Sequence, residues 1–312
     1  MNYRIAFCGL GSIAQRHLRN VSTYLSRKGD SAEIDLFRSN LGKELPEELR
    51  PLVAHQYLFT SEPVGVYDVV FVTNPTFMHY ETLRKFNTHT KSFFIEKPIF
   101  DKTDIDETIF DNLKGLTCYV ACPLRYNPVL QYVKENIDLS EVYSARAISS
   151  SYLPDWRPGQ DYRQCYSAHR DMGGGVGIDL IHEWDYLTSF FGIPKVCYSI
   201  QDRISDLEID SDDIAIYVAQ TGNTTIELHL DYFGRHNIRT LDLYMRDDTV
   251  HCDIIDGTVA FLKAGKTIRL CAERNAYQMA EIAHFFDIIN HKTENDSTAE
   301  HAYAVLKLAK GL

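Results

Sequence analysis

The residues Gly9 to Ala14, with the sequence GLGSIA, constrain the fold of this chain more than any other stretch. They follow a predicted strand at residues 3–8 and open a predicted helix, which is the context in which a GxGxxA pattern binds a dinucleotide. Gly9 allows a tight turn, and Gly11 lets the backbone approach a pyrophosphate. The start of the helix then offers free N–H groups to the phosphates. The alternative is a glycine-rich turn that binds no ligand.

The rest of the first 121 residues alternates between strand and helix patterns. Strands are predicted at residues 33–38, 67–73, 93–95 and 116–120. Residues 67–73 form an almost continuous apolar run, as expected for a strand covered on both faces of a parallel sheet. The alternation predicts a doubly wound parallel sheet, the Rossmann fold, as a first domain over residues 1–121.

Long strand patterns dominate after about residue 140. They lie at residues 142–152, 195–203, 213–219, 224–232, 238–245 and 249–255. Turn residues between some of them predict hairpins. We therefore predict an α/β protein whose second domain, residues 122–312, contains a large open, mostly antiparallel sheet. Helices are expected at residues 275–290 and 297–310, and the last one could pack back on the first domain.

The composition excludes several classes of protein. The chain has 312 residues, 45% of them hydrophobic, and a net charge of −11, which argues against a nucleic-acid or anionic-membrane partner. No signal peptide is visible, and no apolar run approaches the roughly 20 residues that cross a bilayer. The seven cysteines form no CxxC pair, which predicts reduced thiols in a cytoplasmic protein.

The end of the second predicted strand bears on cofactor choice. A fold that binds NAD usually has an acidic residue there for the ribose hydroxyls. This strand ends in Arg38 and Ser39, and Asp35 stands two residues too early. A cation and a hydroxyl suit a 2′-phosphate, so NADP(H) is the preferred cofactor and NAD(H) the second choice. The alternative is that Arg38 is simply solvated.

Lys97 follows the strand at residues 93–95, within the sequence Glu96-Lys97-Pro98. Doubly wound folds bind their ligands at the carboxyl ends of the parallel strands. A lysine at that edge could polarise a reacting hydroxyl or take part in proton transfer. As an isolated tripeptide it would indicate only a surface salt bridge.

The stretch Gly173 to Tyr186, GGGVGIDLIHEWDY, predicts a helix after a flexible glycine run. At about 100° per residue, Asp179, His182 and Tyr186 share one polar side. The apolar stripe opposite them is expected to contain Leu180, Trp184, Leu187 and Phe191. Glu183 flanks the polar side and could take over part of the role of Asp179.

Three interpretations of this polar side are open. Asp179 and His182 could be a proton-transfer pair, or they could be polar residues on a wet helix face. With Asp185 they could also be drawn as metal ligands, although no second His or Cys stands nearby at ligand spacing. Lys97 and the glycine fingerprint favour the proton-transfer pair.

Residues 153–172 form a long segment without a regular pattern, which is typical of a binding loop or of disorder. The segment is aromatic and cationic, which favours a binding loop. Its candidates are Trp156, Arg157, Tyr162, Arg163, Tyr166, His169 and Arg170. If the arginines point into a cleft, the substrate carries a carboxylate or a phosphate.

Taken together, these motifs resemble the glucose–fructose oxidoreductase/inositol dehydrogenase family, Gfo/Idh/MocA, over essentially the whole chain. The matching stretches are GLGSIA at 9–14, DVVFVTNPTFMH at 68–79, EKP at 96–98, LRYNP at 124–128, the glycine run with its Asp and His, and residues 277–286. The resemblance implies a Rossmann domain followed by an α/β domain. It also implies that the open sheet of the second domain forms a homodimer or homotetramer.

The resemblance further implies which residues bind the cofactor and the substrate. The pyrophosphate is expected to contact Gly9, Gly11, Ser12 and Ile13, and the adenosine and ribose side to contact Thr73, Asn74, Pro75 and His79. Glu96 would contact the nicotinamide ribose, and the Lys97–Pro98 bond would be cis. Arg125 would lie near the nicotinamide or the substrate. The expected substrate contacts are Lys97, Tyr126, Trp156, Arg157, Tyr162, Arg163, Asp179 and His182.

The same resemblance implies a catalytic set of Lys97, Asp179 and His182. His182 would take the proton from a substrate hydroxyl while hydride leaves the carbon for the nicotinamide, and Asp179 and Lys97 would orient it. In most family members the Asp and His are four residues apart, whereas here they are three apart. Both spacings keep two residues on one face of a helix.

The leading interpretation is an NAD(P)-dependent dehydrogenase or reductase that acts on a sugar, sugar acid or cyclitol. Its substrate could be linked to a nucleotide and belong to surface-glycan biosynthesis. Two alternatives are open: a regulator that binds dinucleotide and sugar without turnover, and a lyase or glycosidase that uses the nicotinamide transiently.

Overall fold

The structure is a computed structural model that describes residues 1–271 and 273–312. It divides into two compact units. The first contains residues 1–121 and 278–303, and the second contains residues 122–277 and 304–312. The segment 122–312, predicted as one domain, is therefore shared between the two units.

The first unit is a Rossmann fold, as predicted. Its elements up to residue 121 are β1 (Asn2–Cys8), α1 (Ser12–Lys28), β2 (Ser31–Arg38), β3 (His55–Leu58), β4 (Val69–Val72), α2 (His79–Phe86), β5 (Ser92–Ile95), α3 (Thr108–Asn112) and β6 (Thr117–Val120). The strands form one parallel sheet in the order β3-β2-β1-β4-β5-β6. The sequence did not predict β3, which is short and mostly exposed and so lacks an apolar run.

Aromatic rings fill the core of this unit. Phe7 of β1 stacks on Phe71 of β4 with 4.4 Å between ring centroids, and Phe71 stacks on Phe94 of β5 at 4.9 Å. Phe285 and Phe286 belong to the same apolar cluster. This explains why residues 278–303 group with the first unit: the sequence shows that they have an apolar face, but not which sheet that face covers.

The second unit contains a large open sheet. Its elements before the final helices are α4 (Pro128–Asn136), β7 (Val142–Tyr152), α5 (Val176–Asp179), α6 (His182–Phe191), β8 (Val196–Asp202), β9 (Ile214–Thr221), β10 (Thr224–Asp231), β11 (Phe233–Met245), β12 (Thr249–Asp253), β13 (Thr258–Phe261) and β14 (Lys266–Arg269). The strand order is β14-β13-β12-β11-β7-β10-β9-β8. Among the described residues only β7 and β10 pair in parallel, so the predicted mostly antiparallel sheet is confirmed.

Two helices close the chain, α7 (Arg274–Ile289) and α8 (Ala299–Ala309), close to their predicted bounds. The sequence missed β13 and β14, which are four residues each and carry no long apolar alternation. Within the part of the chain that the structure describes, every helix falls short of the length and apolar content that a membrane crossing requires.

Candidate functional site

The turn after β1 is closely packed against the end of β4. Gly9 has a φ of +100°, and a Cβ atom there would lie 2.7 Å from the Cα of Asn74. Its N–H donates to the carbonyl of Phe37 at 2.8 Å. A side chain at this position would push the turn away from two neighbouring strands, so the residue has to be glycine.

The start of α1 fits a dinucleotide pyrophosphate. Gly11 is the N-cap residue in an extended conformation, and no heavy atom lies within 4 Å of the place where a Cβ would stand. No side chain caps the helix, and its first turn contains no acidic residue. Ser12 is exposed and Ile13 half-buried beside this open space. The backbone N–H groups of the first turn are therefore available to an anion.

Arg38 ends β2, but it is not the solvated arginine that we considered. Only 6% of Arg38 is exposed, and its Nη1 donates to Oε1 of Gln56 at 2.8 Å. The next residue, Ser39, is exposed. Asp35 is buried, and its carboxylate accepts a hydrogen bond from the Tyr67 hydroxyl at 2.8 Å. An arginine and a serine thus stand where an NAD-binding fold usually has an acidic residue.

The residues predicted for the adenosine and ribose side connect the turn after β4 to its neighbours. The Thr73 hydroxyl donates to the carbonyl of Cys8 at 2.9 Å, and Asn74 Nδ2 donates to the Thr82 hydroxyl at 2.7 Å. Pro75 is exposed beside them. Thr73 and Asn74 therefore fix the shape of this turn, whereas Pro75 presents its ring to the surface.

His79 is fully buried and takes a bridging position. Its Nδ1 lies 3.1 Å from the carbonyl of Pro98, and its Nε2 lies 3.0 Å from the carbonyl of Asn74. Burial lowers the pKa of His79, so the ring is neutral at physiological pH. These contacts join the turn after β4 to the Glu96-Lys97-Pro98 segment, and the single N–H of the neutral ring donates to a carbonyl on one of the two sides.

The Glu96-Lys97-Pro98 segment leaves the carboxyl end of β5. The Lys97–Pro98 peptide bond is cis, as predicted. Oε1 of Glu96 lies 2.5 Å from Nε2 of His17, whose side chain is almost fully buried. Burial alone would raise the pKa of Glu96, but the hydrogen bond from His17 and the charge of Lys97 lower it overall. Glu96 is therefore an ionised carboxylate beside the half-buried Lys97.

His17 is not part of any motif that the sequence shows. This residue stands on the buried stripe of α1 that also contains Ala14, Leu18 and Val21. Its ring lies 4.9 Å from the ring of Phe94, in an edge-on arrangement. A histidine on an apolar helix stripe was the available signal, but its partner is 79 positions away in the sequence.

In the second unit, the predicted single helix is two helices. Asp179 ends α5 and His182 begins α6, because Leu180 between them has a φ of −96° and a ψ of 28°. The alternative of a wet helix face does not fit Asp179, which is nearly completely buried, and Tyr186 on the same predicted side is completely buried. His182 alone among the three predicted polar residues is half-buried.

Packing also fixes the glycine run, which we predicted to be flexible. A Cβ on Gly174 would lie 2.3 Å from the carbonyl oxygen of Tyr166 and 2.6 Å from that of Ser167. The run therefore lets residues 166–169 approach the start of α5 at backbone distance.

The carboxylate of Asp179 is held by two tyrosines. The Tyr232 hydroxyl donates to Oδ2 at 2.6 Å, and the Tyr166 hydroxyl is also hydrogen-bonded to Asp179. Glu183 has a different environment: it is completely buried and lies 2.7 Å from Nε of Arg239. Glu183 is thus paired with a cation within the unit, whereas the contacts given above for Asp179 are with neutral hydroxyl groups.

Arg125 and Asp185 form a buried, bidentate ion pair. Nε of Arg125 donates to Oδ2 at 2.8 Å, and Nη2 donates to Oδ1 at 2.7 Å. Each side chain is only 8% exposed. The pair joins the turn at residues 123–126, which also contains the half-buried Tyr126, to α6. It also weakens the metal interpretation, because Arg125 engages both carboxylate oxygens of Asp185.

The predicted binding loop is ordered as four short 3-10 turns, at residues 153–156, 162–164, 166–168 and 170–172. Two of its arginines are paired with carboxylates. Arg163 contacts Asp161 at 2.9 Å, and Arg170 contacts Asp212 at 2.9 Å. A cationic cluster for an anionic substrate group is therefore not formed by these two residues.

The remaining candidates of the loop pack on one another or on the sheet. The Arg157 guanidinium lies 5.7 Å from the centre of the Tyr166 ring. Trp156 donates from Nε1 to the Ser151 hydroxyl at 2.9 Å and packs edge-on against Tyr232. The Tyr162 hydroxyl accepts a hydrogen bond from the N–H of Glu208 at 3.2 Å.

Comparisons with solved structures establish the fold. UDP-N-acetylglucosamine 3-dehydrogenase GnnA from Acidithiobacillus ferrooxidans superposes with a TM-score of 0.78 at 16% identity, over 99% of this chain and 96% of the other. A levoglucosan dehydrogenase in complex with NADH and levoglucosan gives 0.81 at 15% identity, over 100% and 96%. The myo-inositol 2-dehydrogenase from Lactobacillus plantarum gives 0.75 at 18% identity, over 99% and 96%.

Sequence comparison gives the family. No curated protein is similar enough in sequence to count as a relative of this chain. Residues 3–114 match the model of the GFO_IDH_MocA oxidoreductase family, which has an NAD-binding Rossmann fold. Over residues 3–114 the chain therefore resembles the Gfo/Idh/MocA oxidoreductase family, and its two-unit architecture has the same fold as these solved structures.

Proposed function

We propose that this protein is a nicotinamide-dependent dehydrogenase or reductase that acts on a hydroxyl carbon of a sugar, sugar acid or cyclitol. The observation that carries the proposal is Lys97. It follows β5 at the carboxyl edge of the parallel sheet, the same edge at which the turn of Gly9 to Ala14 follows β1. Doubly wound sheets bind their ligands at this edge.

In this proposal the side chains divide the proton chemistry among them. His182 takes the proton from the substrate hydroxyl, because a half-buried imidazole at a helix start can act as a general base near neutral pH. Lys97 hydrogen-bonds the same hydroxyl oxygen and stabilises its developing negative charge. Asp179 orients the reacting groups. The nicotinamide, when bound, supplies the hydride acceptor or donor.

We propose NADP(H) as the preferred cofactor, with NAD(H) as the second choice. Arg38 and Ser39 at the end of β2 support this choice, since a 2′-phosphate needs a cation and hydrogen-bond donors. The hydrogen bond to Gln56 holds the Arg38 guanidinium at the end of β2 and uses one of its five N–H groups. Solved structures with a similar fold contain NADH or NAD⁺, so NAD(H) is also tested as a cofactor.

The substrate class follows from the loop and from the similar structures. Because Arg163 and Arg170 are paired with carboxylates, the loop gives less support to an anionic sugar than its sequence suggested. The dehydrogenases with similar structures act on a UDP-linked sugar, levoglucosan and myo-inositol. We propose a sugar or cyclitol, and a nucleotide-linked sugar of surface-glycan biosynthesis is the first candidate to test.

The oligomer and the location are also proposed. The open face of the eight-stranded sheet exposes Tyr198 and Ile200 on β8, at 73% and 65%. An uncovered sheet face with large apolar side chains favours association, so we propose a homodimer or homotetramer through this sheet. All seven cysteines are thiols and not disulfides, which supports a cytoplasmic location.

The test is turnover by the purified protein. NADP⁺ and NAD⁺ are offered with UDP-N-acetylglucosamine, glucuronate and myo-inositol, and reduced nicotinamide is followed by its absorbance. Lys97→Met is expected to abolish turnover and to keep nucleotide binding. Lys91→Met, which removes an exposed lysine of the same unit, is the matched control and is expected to stay active.

Two results would contradict the proposal. Binding of nucleotide and sugar without any turnover would indicate a regulator. A tightly held nucleotide with substrate conversion but no net change in absorbance would indicate a lyase or glycosidase. Mass spectrometry of the nucleotide released on denaturation identifies the cofactor in every case.

A further inference from the structure

We propose that Tyr232 and Tyr166 are positioning residues that fix the carboxylate of Asp179, and that Tyr166 also helps to determine which substrate hydroxyl is accepted. This inference rests on the proposed function, because it assigns Asp179 to a site that binds a hydroxyl-bearing substrate. It depends on contacts within the second unit only.

The break between the two helices creates the need for such residues. Asp179 is the last residue of α5, a helix of four residues, and Leu180 leaves the helical conformation. The direction of the Asp179 side chain is therefore not set by one continuous helix that also carries His182. Something outside the helix has to hold the carboxylate if the two residues are to act on one substrate.

Tyr232 provides a rigid contact from the sheet. It lies between β10 and β11, and its side chain is completely buried. Its N–H donates to the carbonyl of Asp213 at 2.9 Å, and its own carbonyl accepts from the N–H of Leu153 at 2.9 Å. The ring of Trp156 packs edge-on at 5.3 Å. Contacts other than the hydrogen bond to Asp179 thus fix the backbone and the ring of Tyr232.

Tyr166 provides the second contact, from the loop. Its hydroxyl is hydrogen-bonded to Asp179 and 39% of the residue is exposed, so it combines contact with the carboxylate and access from solvent. Arg157 stacks over its ring. Close backbone packing at Gly174 holds this part of the loop against the start of α5.

Both tyrosines are neutral hydrogen-bond donors. Burial raises the pKa of each phenol, and the neighbouring charge of Asp179 raises it further. Each hydroxyl therefore keeps its proton and donates a hydrogen bond to the carboxylate. A carboxylate with two fixed donors keeps one orientation. In this inference a substrate hydroxyl that also bonds to Asp179 lies next to Tyr166, which contacts the same carboxylate.

The assignment differs from the sequence expectation for this loop. Trp156 and Tyr162 were expected to contact the substrate, but Trp156 packs on Tyr232 and the Tyr162 hydroxyl accepts a hydrogen bond from a backbone N–H. Tyr166 is the aromatic residue of the loop whose hydroxyl reaches a proposed site residue. The loop acts on Asp179 through Tyr166 and through the Trp156–Tyr232 contact.

The experiment compares three tyrosine-to-phenylalanine variants of the full chain, using the best sugar substrate of the wild type. Tyr232→Phe is expected to lower kcat by roughly tenfold to a hundredfold, the scale of one lost hydrogen bond to a charged group, with the KM for the nucleotide unchanged. The solvent deuterium isotope effect on kcat is expected to rise, because proton transfer becomes slower. Tyr166→Phe is expected to lower kcat, raise the KM for the sugar and change the ranking of alternative sugars.

Tyr217→Phe is the matched control. Tyr217 is also buried in the second unit, packs edge-on against Trp184, and donates its hydroxyl to the carbonyl of Ala309 at 2.7 Å. Its loss is expected to lower the melting temperature and to leave kcat within about twofold, because the lost bond does not involve a charged group of the site.

Several results would overturn the inference. Wild-type kcat and KM in a stable Tyr232→Phe protein would do so, and so would an equal loss of kcat in Tyr217→Phe. A wild type that turns over none of the sugars refutes the proposed function, and with it this inference. A double-mutant cycle of Tyr232→Phe with Asp179→Asn in thermal unfolding distinguishes a failure of this inference from a failure of the proposed function. It measures the contact between Tyr232 and Asp179 without any substrate.

Discussion

His17 and Glu96 are joined by a hydrogen bond of 2.5 Å between Nε2 and Oε1. The bond connects α1, which follows the glycine turn, with the carboxyl end of β5, where Lys97 stands. It therefore links the element that fits the pyrophosphate to the segment that we propose for the nicotinamide ribose and for catalysis. A substitution of His17 should therefore affect both the start of α1 and the Glu96-Lys97-Pro98 segment.

The first prediction concerns nucleotide binding. His17→Leu keeps the volume of the side chain but leaves the nearly buried Glu96 without its donor. We expect the Kd for NADP⁺ to rise roughly tenfold, on the scale of a lost charge-assisted hydrogen bond. Isothermal titration calorimetry measures it. His284→Leu, which breaks a more exposed His–Asp contact of the same unit, is the control and should bind as the wild type does.

The second prediction concerns the pH dependence of stability. The pKa of Glu96 is lower in the folded protein than its usual value of 4.5. The unfolded chain therefore takes up a proton first, so Glu96 stabilises the fold above pH 4.5, and this contribution is lost as the pH falls below it. In urea unfolding from pH 6 to about pH 3, Glu96→Gln should lose less stability than the wild type. Parallel curves for the two proteins would contradict this prediction.

The third prediction concerns the buried pair of Arg125 and Asp185. Removing one partner leaves a buried charge, which costs about 3–5 kcal/mol, so Arg125→Met and Asp185→Leu should each destabilise the protein strongly. The double variant should recover much of the loss. Chemical denaturation of all four proteins gives the coupling energy. The exposed pair of Arg84 and Glu81 serves as the control, because such pairs contribute about 1 kcal/mol or less.

The fourth prediction concerns cofactor choice. Arg38→Ala should raise the KM for NADP⁺ roughly tenfold or more and leave the KM for NAD⁺ nearly unchanged. Only NADP⁺ has a 2′-phosphate, and in the variant that phosphate has lost its contact with the cation of Arg38. Ser39→Asp should further favour NAD⁺ by repelling the phosphate. Equal changes in the two KM values would show that Arg38 acts through its packing on Gln56 and not on the cofactor.

Local sequence patterns predicted most strands of both units, although β3, β13 and β14 were missed. The glycine turn, Lys97 and β7 depend on residues that are neighbours in sequence, so motif and periodicity were sufficient for them. Hydrogen-bonded pairs of residues that are far apart in the sequence could not be predicted. The partner of His17 is Glu96, which follows β5 and is 79 positions away, and the partner of Asp179 is Tyr232, 53 positions away. Neither helix periodicity nor loop composition contains that information.

The prediction of a single helix through Asp179 and His182 was wrong for a different reason. Its pattern was treated as one amphipathic helix with a wet side, but Tyr186 and Glu183 are completely buried. Polar residues at helical spacing do not show that their side faces solvent, because a buried carboxylate with a cation such as Arg239 satisfies the same pattern. The helix break at Leu180 also could not be predicted, because no glycine or proline stands at that position.

The last prediction concerns the open face of the eight-stranded sheet. The register pairs Tyr198 with Val218 and Ile200 with Ile216, so the four side chains form one apolar patch on β8 and β9. If the patch is covered by a second copy of the chain, a charge at its centre must be desolvated on association. Tyr198→Asp should therefore convert the oligomer to smaller species in size-exclusion chromatography with light scattering. Leu262→Asp, at an exposed apolar position in the turn between β13 and β14, should leave the mass unchanged, since the predicted interface does not include it. A monomeric wild type would contradict the proposed association, because the patch would then be exposed in solution.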